Sequence, residues 1–61
     1  MNRKAFLRAE DVAEYMEVSI PMAYKIIRRL NKELLAQGYI VVAGRVNRQY
    51  FEEKIYSGSF A

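Results

Sequence analysis

One stretch, residues 19–38, constrains this chain more than any other because it contains every signal that a helix needs. Ser19 is a favourable N-cap residue, and Pro21 falls in the first turn, where a missing backbone N–H costs nothing. Gly38 suits the left-handed position that follows a helix C-terminus. Apolar side chains recur at spacings of three and four: Ala23, Ile26, Ile27, Leu30 and Leu34. We therefore predict an amphipathic helix of about five turns.

The opposite side of this predicted helix is cationic and includes an aromatic residue. Six side chains fall largely outside the apolar stripe: Tyr24, Lys25, Arg28, Arg29, Asn31 and Lys32. Residues 19–48 contain six basic side chains and a single acid, Glu33, although the net charge of the whole chain is only +3. Positive charge segregated in this way favours a polyanionic partner, and the alternative is a solvated helix face that binds nothing.

The size and composition of the chain exclude several classes of protein. Its 61 residues form one small domain, without room for a deep catalytic cleft. There is no Cys and no His, which removes disulfides, the usual zinc ligands and the commonest general base. No apolar run approaches the roughly 20 residues that span a bilayer, and the N-terminus lacks a signal-peptide core. We expect a cytoplasmic, non-enzymatic protein without metal, cofactor, small-molecule ligand or membrane association.

A second helix is predicted over residues 7–16, after a short basic arm at residues 1–6. Only Glu17 and Val18 separate this helix from Ser19, so the two helices must cross at a large angle. The spacing is that of a helix-turn-helix over residues 7–37, with Ala13 at the closest approach. Its buried apolar positions are Val12, Met16, Val18, Ala23 and Ile26. Glu17 stands where a Gly is common, which leaves the turn geometry open.

The hydrophobic pattern changes after Gly38. Residues 39–42 are β-branched or aromatic, Ala43-Gly44 is a turn signal, and extended structure resumes at Arg45. We predict a two-stranded hairpin over residues 39–46, in which Gly44 supplies a positive φ. Its apolar residues should pack in part on the helices: Ile40, Val42 and Val46. Arg45 would then lie at the tip, in the position called a wing.

A closing helix is predicted over residues 48–56, capped by Asn47, and residues 57–61 are predicted to form a loose tail. Four tyrosines raise the possibility of stacking on single-stranded bases: Tyr15, Tyr39, Tyr50 and Tyr56. We assign them to the core instead, because a domain this small needs large side chains. Catalysis is rejected, since the chain has no Gly-rich phosphate loop and Glu52 and Glu53 diverge as helix neighbours.

Two segments resemble the small winged-helix DNA-binding proteins of the excisionase and MerR-like group. They are LRAEDVAEYMEVSIPMAYKIIRRL and GRVNRQYFEEKIY. The likeness spans roughly residues 7–56. It implies a mainly α fold with a small β-hairpin, a winged helix-turn-helix that binds double-stranded DNA. It also implies a phage or bacterial mobile element, in which the protein bends DNA and directs an integrase toward excision. The absence of an effector domain or long dimerisation helix favours an excisionase over a small transcriptional regulator.

In such a fold the outer side of the second helix enters the major groove. The residues predicted to read bases are Met22, Tyr24, Lys25 and Arg28. Those predicted to contact the DNA backbone, or to act from the wing, are Ser19, Arg29, Lys32, Arg45 and Arg48. Two alternatives stay open: Met22 filling a gap in the core, and Arg48 forming an ion pair with Glu52.

Because one small helix reads few base pairs, we expect cooperative self-association on adjacent DNA sites. The alternative from another class is a protein-interaction module, because a fold by itself does not decide function.

Overall fold

The computed structural model describes residues 5–57. Five elements follow one another along the chain: β1 (Phe6–Arg8), α1 (Ala9–Met16), α2 (Ile20–Ala36), β2 (Arg45–Asn47) and α3 (Arg48–Ser57). The predicted fold class is confirmed at this level, since three helices accompany one two-stranded antiparallel sheet. The predictions for most of the N-terminal arm and C-terminal tail lie outside the described residues.

The α1 helix begins at Ala9, two residues later than predicted, because the preceding residues form a strand. The Asp11 carboxylate accepts the backbone N–H of Arg8 at 2.9 Å and so satisfies a donor at the helix start. The helix ends at Met16, and Glu17 adopts the left-handed conformation with φ 57° and ψ 47°. A Gly is favoured at this position because a side chain is strained there.

The α2 helix has the caps that its sequence predicts. The Ser19 hydroxyl oxygen accepts the backbone N–H of Met22 at 3.2 Å. At the other end, Gly38 has φ 89° and donates its N–H to Leu35, while Tyr39 donates to the carbonyl of Leu34, both at 3.0 Å. These two bonds form a Schellman motif, which ends the helix and turns the chain away from its axis.

The two-stranded sheet does not pair the segments that the sequence predicted. Strand β1 pairs with β2, so that Leu7 lies opposite Val46 and Arg8 lies opposite Arg45. The predicted hairpin over residues 39–46 is therefore wrong in its first strand, because residues 39–42 form no strand. Leu7 and Val46 are both buried, whereas Ile40 is 88% exposed, so burial in the core selected residues 6–8 as the partner.

Side chains from all five elements contribute to the core. The core residues are Leu7, Ala9, Val12, Ala13, Ala23, Ile27, Leu30, Val46 and Phe51. Partly buried around them are Met16, Val18 and Ile26, which the sequence placed inside. One burial prediction on α2 is wrong: Asn31, assigned to the outer side, is only 9% exposed. Among the described residues, no helix is both long and apolar enough to cross a bilayer.

The α3 helix closes the core. Asn47 caps it as predicted, since its side-chain oxygen accepts the backbone N–H of Tyr50 at 2.8 Å. Phe51 is completely buried. The assignment of the tyrosines to the core is wrong for three of the four, because Tyr15, Tyr39 and Tyr56 are all largely exposed. The rings of Tyr15 and Phe51 still pack edge to face, with centroids 5.3 Å apart, and the Tyr15 hydroxyl lies 2.9 Å from that of Tyr56.

Candidate nucleic-acid interface

The outer side of α2 presents exposed cations along its length. Lys25, Arg28 and Lys32 are exposed and follow one another at spacings of three and four, so they share one side of the helix. Within residues 5–57, none of these three makes an ion pair. The structure therefore brings these predicted site residues together on a surface whose charge is not neutralised within the described chain.

Two further predicted base-reading residues flank this row of cations. Met22 is 44% exposed, so it does not fill the core, and it lines a shallow apolar depression with Met16 and Val18. Tyr24 is 43% exposed on the other flank of α2 and faces the turn at Gly44. Both side chains are thus accessible from the same side of the molecule as the cations.

The remaining predicted cations of the helices are engaged by acids to different degrees. Arg29 is largely exposed, but its Nε lies 3.9 Å from the Glu33 carboxylate. Arg48 forms a shorter ion pair, with its guanidinium 3.1 Å from the Glu52 carboxylate. The alternative of an ion pair at Arg48 is therefore what the structure shows. Ser19 uses its hydroxyl oxygen for the α2 cap and is exposed at the start of that helix.

Arg45 lies at the end of a tight turn that is fixed against α2. Its backbone N–H donates to the carbonyl of Val42 at 3.1 Å, and Gly44 within this turn has φ 78°. The buried Asn31 amide donates to the carbonyl of Val42 at 3.1 Å and to that of Arg45 at 2.8 Å. The predicted positive φ at Gly44 is confirmed. The turn is thus held by a side chain that the sequence analysis did not single out.

A groove runs between α2 and this turn. The helix side is lined by Tyr24, Arg28, Lys32 and Leu35, and the opposite side by Val41, Ala43 and Gly44. The lining is mainly apolar, and it includes the two cations and the buried Asn31. A surface of this kind suits a ligand with both apolar and anionic parts, such as the sugar-phosphate backbone of a nucleic acid.

A cluster of three side chains ties α2 to α3 beside this surface. The Tyr50 hydroxyl donates to Glu33 Oε1 at 2.7 Å, and Lys54 Nζ lies 3.4 Å from the same oxygen. The hydrogen bond from Tyr50 lowers the pKa of Glu33, against the opposing effect of burial and with help from Lys54. The same hydrogen bond, together with burial, raises the pKa of Tyr50. Glu33 is thus an ionised structural partner at neutral pH.

Sequence reasoning misplaced Asn31 on the outer side of α2 and assigned no site role to Arg8. Asn31 falls four residues after Ile27 and three before Leu34, so its spacing already placed it on the buried stripe. Arg8 lies opposite Arg45 in the sheet, and no local pattern indicates that pairing. No cluster of His, Cys, Asp or Glu in the described part of the chain could hold a metal ion.

These features define a class: a small, mainly helical protein with a two-stranded antiparallel sheet and an exposed cationic face on its longest helix. Comparison with known proteins identifies the family. The chain is 42% identical over 48 residues to the ICEBs1 excisionase of Bacillus subtilis (strain 168), a match that covers 79% of this chain and 75% of that protein. The chain therefore belongs to this excisionase family. No protein-family model and no solved structure matches it.

Proposed function

We propose that this chain is a winged helix-turn-helix protein that binds and bends double-stranded DNA as the excisionase of a phage or integrative element. In this role it is a cytoplasmic, non-catalytic factor that directs an integrase toward excision. The observation that carries the proposal is the row of Lys25, Arg28 and Lys32, exposed on one helix face and without an ion pair in residues 5–57. Membership of an excisionase family supports it independently.

In this proposal α2 is the recognition helix and lies in the major groove. Lys25 and Arg28 donate to guanine O6 or N7, and the Arg28 fork can do so with two parallel hydrogen bonds. Tyr24 and Met22 contact base edges or thymine methyl groups from either flank. Arg29 and Lys32 bind phosphates and fix the register without reading sequence.

The turn that precedes β2 acts as the wing. Arg45 reaches the DNA backbone or the minor groove from this turn. Ser19, at the start of α2, contributes a backbone contact through its hydroxyl proton, and Arg48 contributes through its exposed part.

A salt titration tests DNA binding directly. Binding through about five cations predicts that the logarithm of the association constant falls linearly with log salt, with a slope of roughly −4 to −5. Undetectable affinity for every duplex at low salt would overturn the proposal. The second candidate, a protein-interaction module, would then be preferred, because the exposed Tyr39 and Ile40 form an apolar surface of the kind used in protein contacts.

Footprinting tests the biological role. The probe is the DNA that flanks the protein's own coding region, with and without a candidate integrase. Protection at the ends of the element, strengthened by the integrase, is the result expected of an excisionase. Protection confined to a promoter would instead assign the protein to transcriptional control. Protection of adjacent sites together, over one narrow range of protein concentration, would reveal the cooperative self-association that we expect on DNA.

A further inference from the structure

We infer that Arg8 and Arg45 together bind one phosphate group of the DNA backbone, at the end of the groove beside α2. This inference rests on the proposed function and extends it, because Arg8 belongs to no predicted site. It assigns to strand β1, at the start of the described chain, a direct contact with the nucleic acid.

The register of the sheet places Arg8 and Arg45 side by side. Arg8 lies directly opposite Arg45, one position along from the buried pair of Leu7 and Val46. Because side chains alternate between the faces of a strand, both arginines lie on the outer face. Side chains directly opposite each other have Cβ atoms about 4.5–5.5 Å apart, and like charges at that separation destabilise the sheet. A bound anion between them would remove this repulsion.

Within the described residues, the charge of this pair is not neutralised by ion pairing. Neither Arg8 nor Arg45 makes an ion pair with any of residues 5–57, and both are exposed. The depression that both arginines line contains a single acid, Glu10, together with Tyr24 and Gly44. One carboxylate leaves an excess of positive charge beside two guanidinium groups.

The position of the pair selects DNA phosphate as its ligand. The depression around Arg8 and Arg45 shares Tyr24, Ala43 and Gly44 with the groove lined by Arg28 and Lys32. The two depressions are therefore adjacent and cations line both; together they are called the channel. Each strand of a duplex presents one phosphate for about every 3.4 Å of helix axis, and the guanidinium fork matches phosphate geometry. A strand bound along α2 would thus reach the arginine pair at the far end of the channel.

The test combines the variants Arg8→Ala, Arg45→Ala and the double variant, with a duplex taken from the footprinted region. Each single variant should weaken binding about three- to tenfold at 0.1 M salt, while the slope against log salt changes little, since the other arginine still neutralises the phosphate. The double variant should reduce the slope by about one, the value for one phosphate. Arg8→Lys should restore part of the affinity, since it keeps the charge but loses the fork.

Thermal unfolding without DNA is the control that shows whether each variant is folded. Because Arg8→Ala removes a repulsive pair and leaves the backbone N–H to Asp11 intact, it should melt no lower than the wild type. Two matched substitutions of acidic residues test whether the DNA lies at the arginine pair. Glu10→Gln should tighten binding severalfold, whereas Glu14→Gln, an equal change at an exposed site on α1 outside the channel, should have a smaller effect.

The outcomes separate this inference from the proposed function. If Arg8→Ala binds DNA like the wild type while Arg28→Ala binds more weakly, the proposed phosphate site at Arg8 and Arg45 is wrong. The proposal that the protein binds DNA then still holds. A loss of about two units of salt slope in the double variant would mean that the two arginines bind separate phosphates. That result would also overturn the proposal of one shared phosphate. Failure of the wild-type protein to bind any duplex would overturn the proposed function itself.

Discussion

The side-chain amide of Asn31 donates to the main-chain carbonyl of Arg45 at 2.8 Å, and so joins the middle of α2 to the first residue of β2. The same nitrogen donates to the carbonyl of Val42 at 3.1 Å. Because Val42 also accepts the N–H of Arg45, all three groups belong to one hydrogen-bonded unit. The position of Arg45 relative to the cations of α2 is therefore fixed by a buried amide rather than by strand pairing alone.

Replacing this amide by an isosteric carboxyl should release the turn. Asn31→Asp places oxygen where the nitrogen donates to two carbonyls, so we expect the free energy of unfolding to fall by about 1–3 kcal/mol. We also expect Arg45→Ala to cost little DNA affinity in this background, although it weakens binding by the otherwise wild-type protein. Denaturant unfolding and duplex titration measure the two effects.

The control for this substitution is Gln49→Glu, the same amide-to-acid change at an exposed position of α3. It should alter stability by less than about 0.5 kcal/mol. If Arg45→Ala has the same effect on affinity with Asn31 and with Asp at that position, Asn31 contributes to stability without positioning Arg45.

Alanine substitutions at Gly38 and Gly44, which both have a positive φ, should both lower stability, but only one should affect DNA binding. A Cβ at Gly44 would lie 3.9 Å from Tyr24 Cε1, an ordinary contact, and a Cβ at Gly38 would meet nothing within 4 Å. Each substitution should therefore cost about 1–2 kcal/mol through backbone strain rather than steric overlap. Only Gly44→Ala should also weaken DNA binding, because Gly44 lines the groove. Equal loss of affinity in both variants would contradict this assignment.

Glycine at Glu17 should stabilise the protein. Glu17 occupies the left-handed region at φ 57°, where any side chain with a Cβ is strained. Glu17→Gly should raise the free energy of unfolding by about 0.5–1 kcal/mol, after the entropic cost of Gly in the unfolded chain. Glu17→Ala removes the same charge but keeps the strain, so it should not stabilise. A gain in both variants would assign the effect to charge.

Acid should weaken the link between α2 and α3. The folded pKa of Glu33 lies below its usual value of 4.5, chiefly because Tyr50 donates to it. A lowered pKa means that the ionised group adds stability above pH 4.5, and that this stability is lost as the pH falls through the folded pKa. The difference in melting temperature between wild type and Glu33→Gln should therefore shrink below about pH 4.5. A difference that stays constant into acid would contradict this link.

Two cations on the recognition face should differ in what they contribute to DNA binding. Arg28→Ala should lose discrimination between the footprinted duplex and an unrelated one, worth about 1–3 kcal/mol if the fork contacts a guanine. Lys32→Ala should weaken both duplexes about equally and reduce the salt slope by about one. Competition titrations with both duplexes distinguish these results. Loss of discrimination on changing Lys32 instead would reverse the two roles.

Much of the helical framework could be predicted because capping chemistry is local. Ser19 caps the start of α2 and Gly38 follows its end, while Asn47 caps the start of α3. The hydrogen bonds at these caps join residues at most five positions apart. The cationic side of α2 followed from period and composition in the same way. The prediction of a strand over residues 39–42 was wrong because β-branched residues favour a strand only where their side chains can pack against neighbours. These residues are not buried.

The sequence by itself determined both ends of α2, the start of α3 and which side of α2 carries the charge, since all of these depend on neighbours within a few turns. Only the tertiary structure decided that residues 6–8 pair with β2, that Asn31 is buried beneath the turn, and that Arg8 meets Arg45. These relationships join residues 11 to 41 positions apart, measured from Asn31 to Val42 and from Phe6 to Asn47. Their formation depends on which pairing buries the most apolar surface, a property of the whole chain that no local pattern contains.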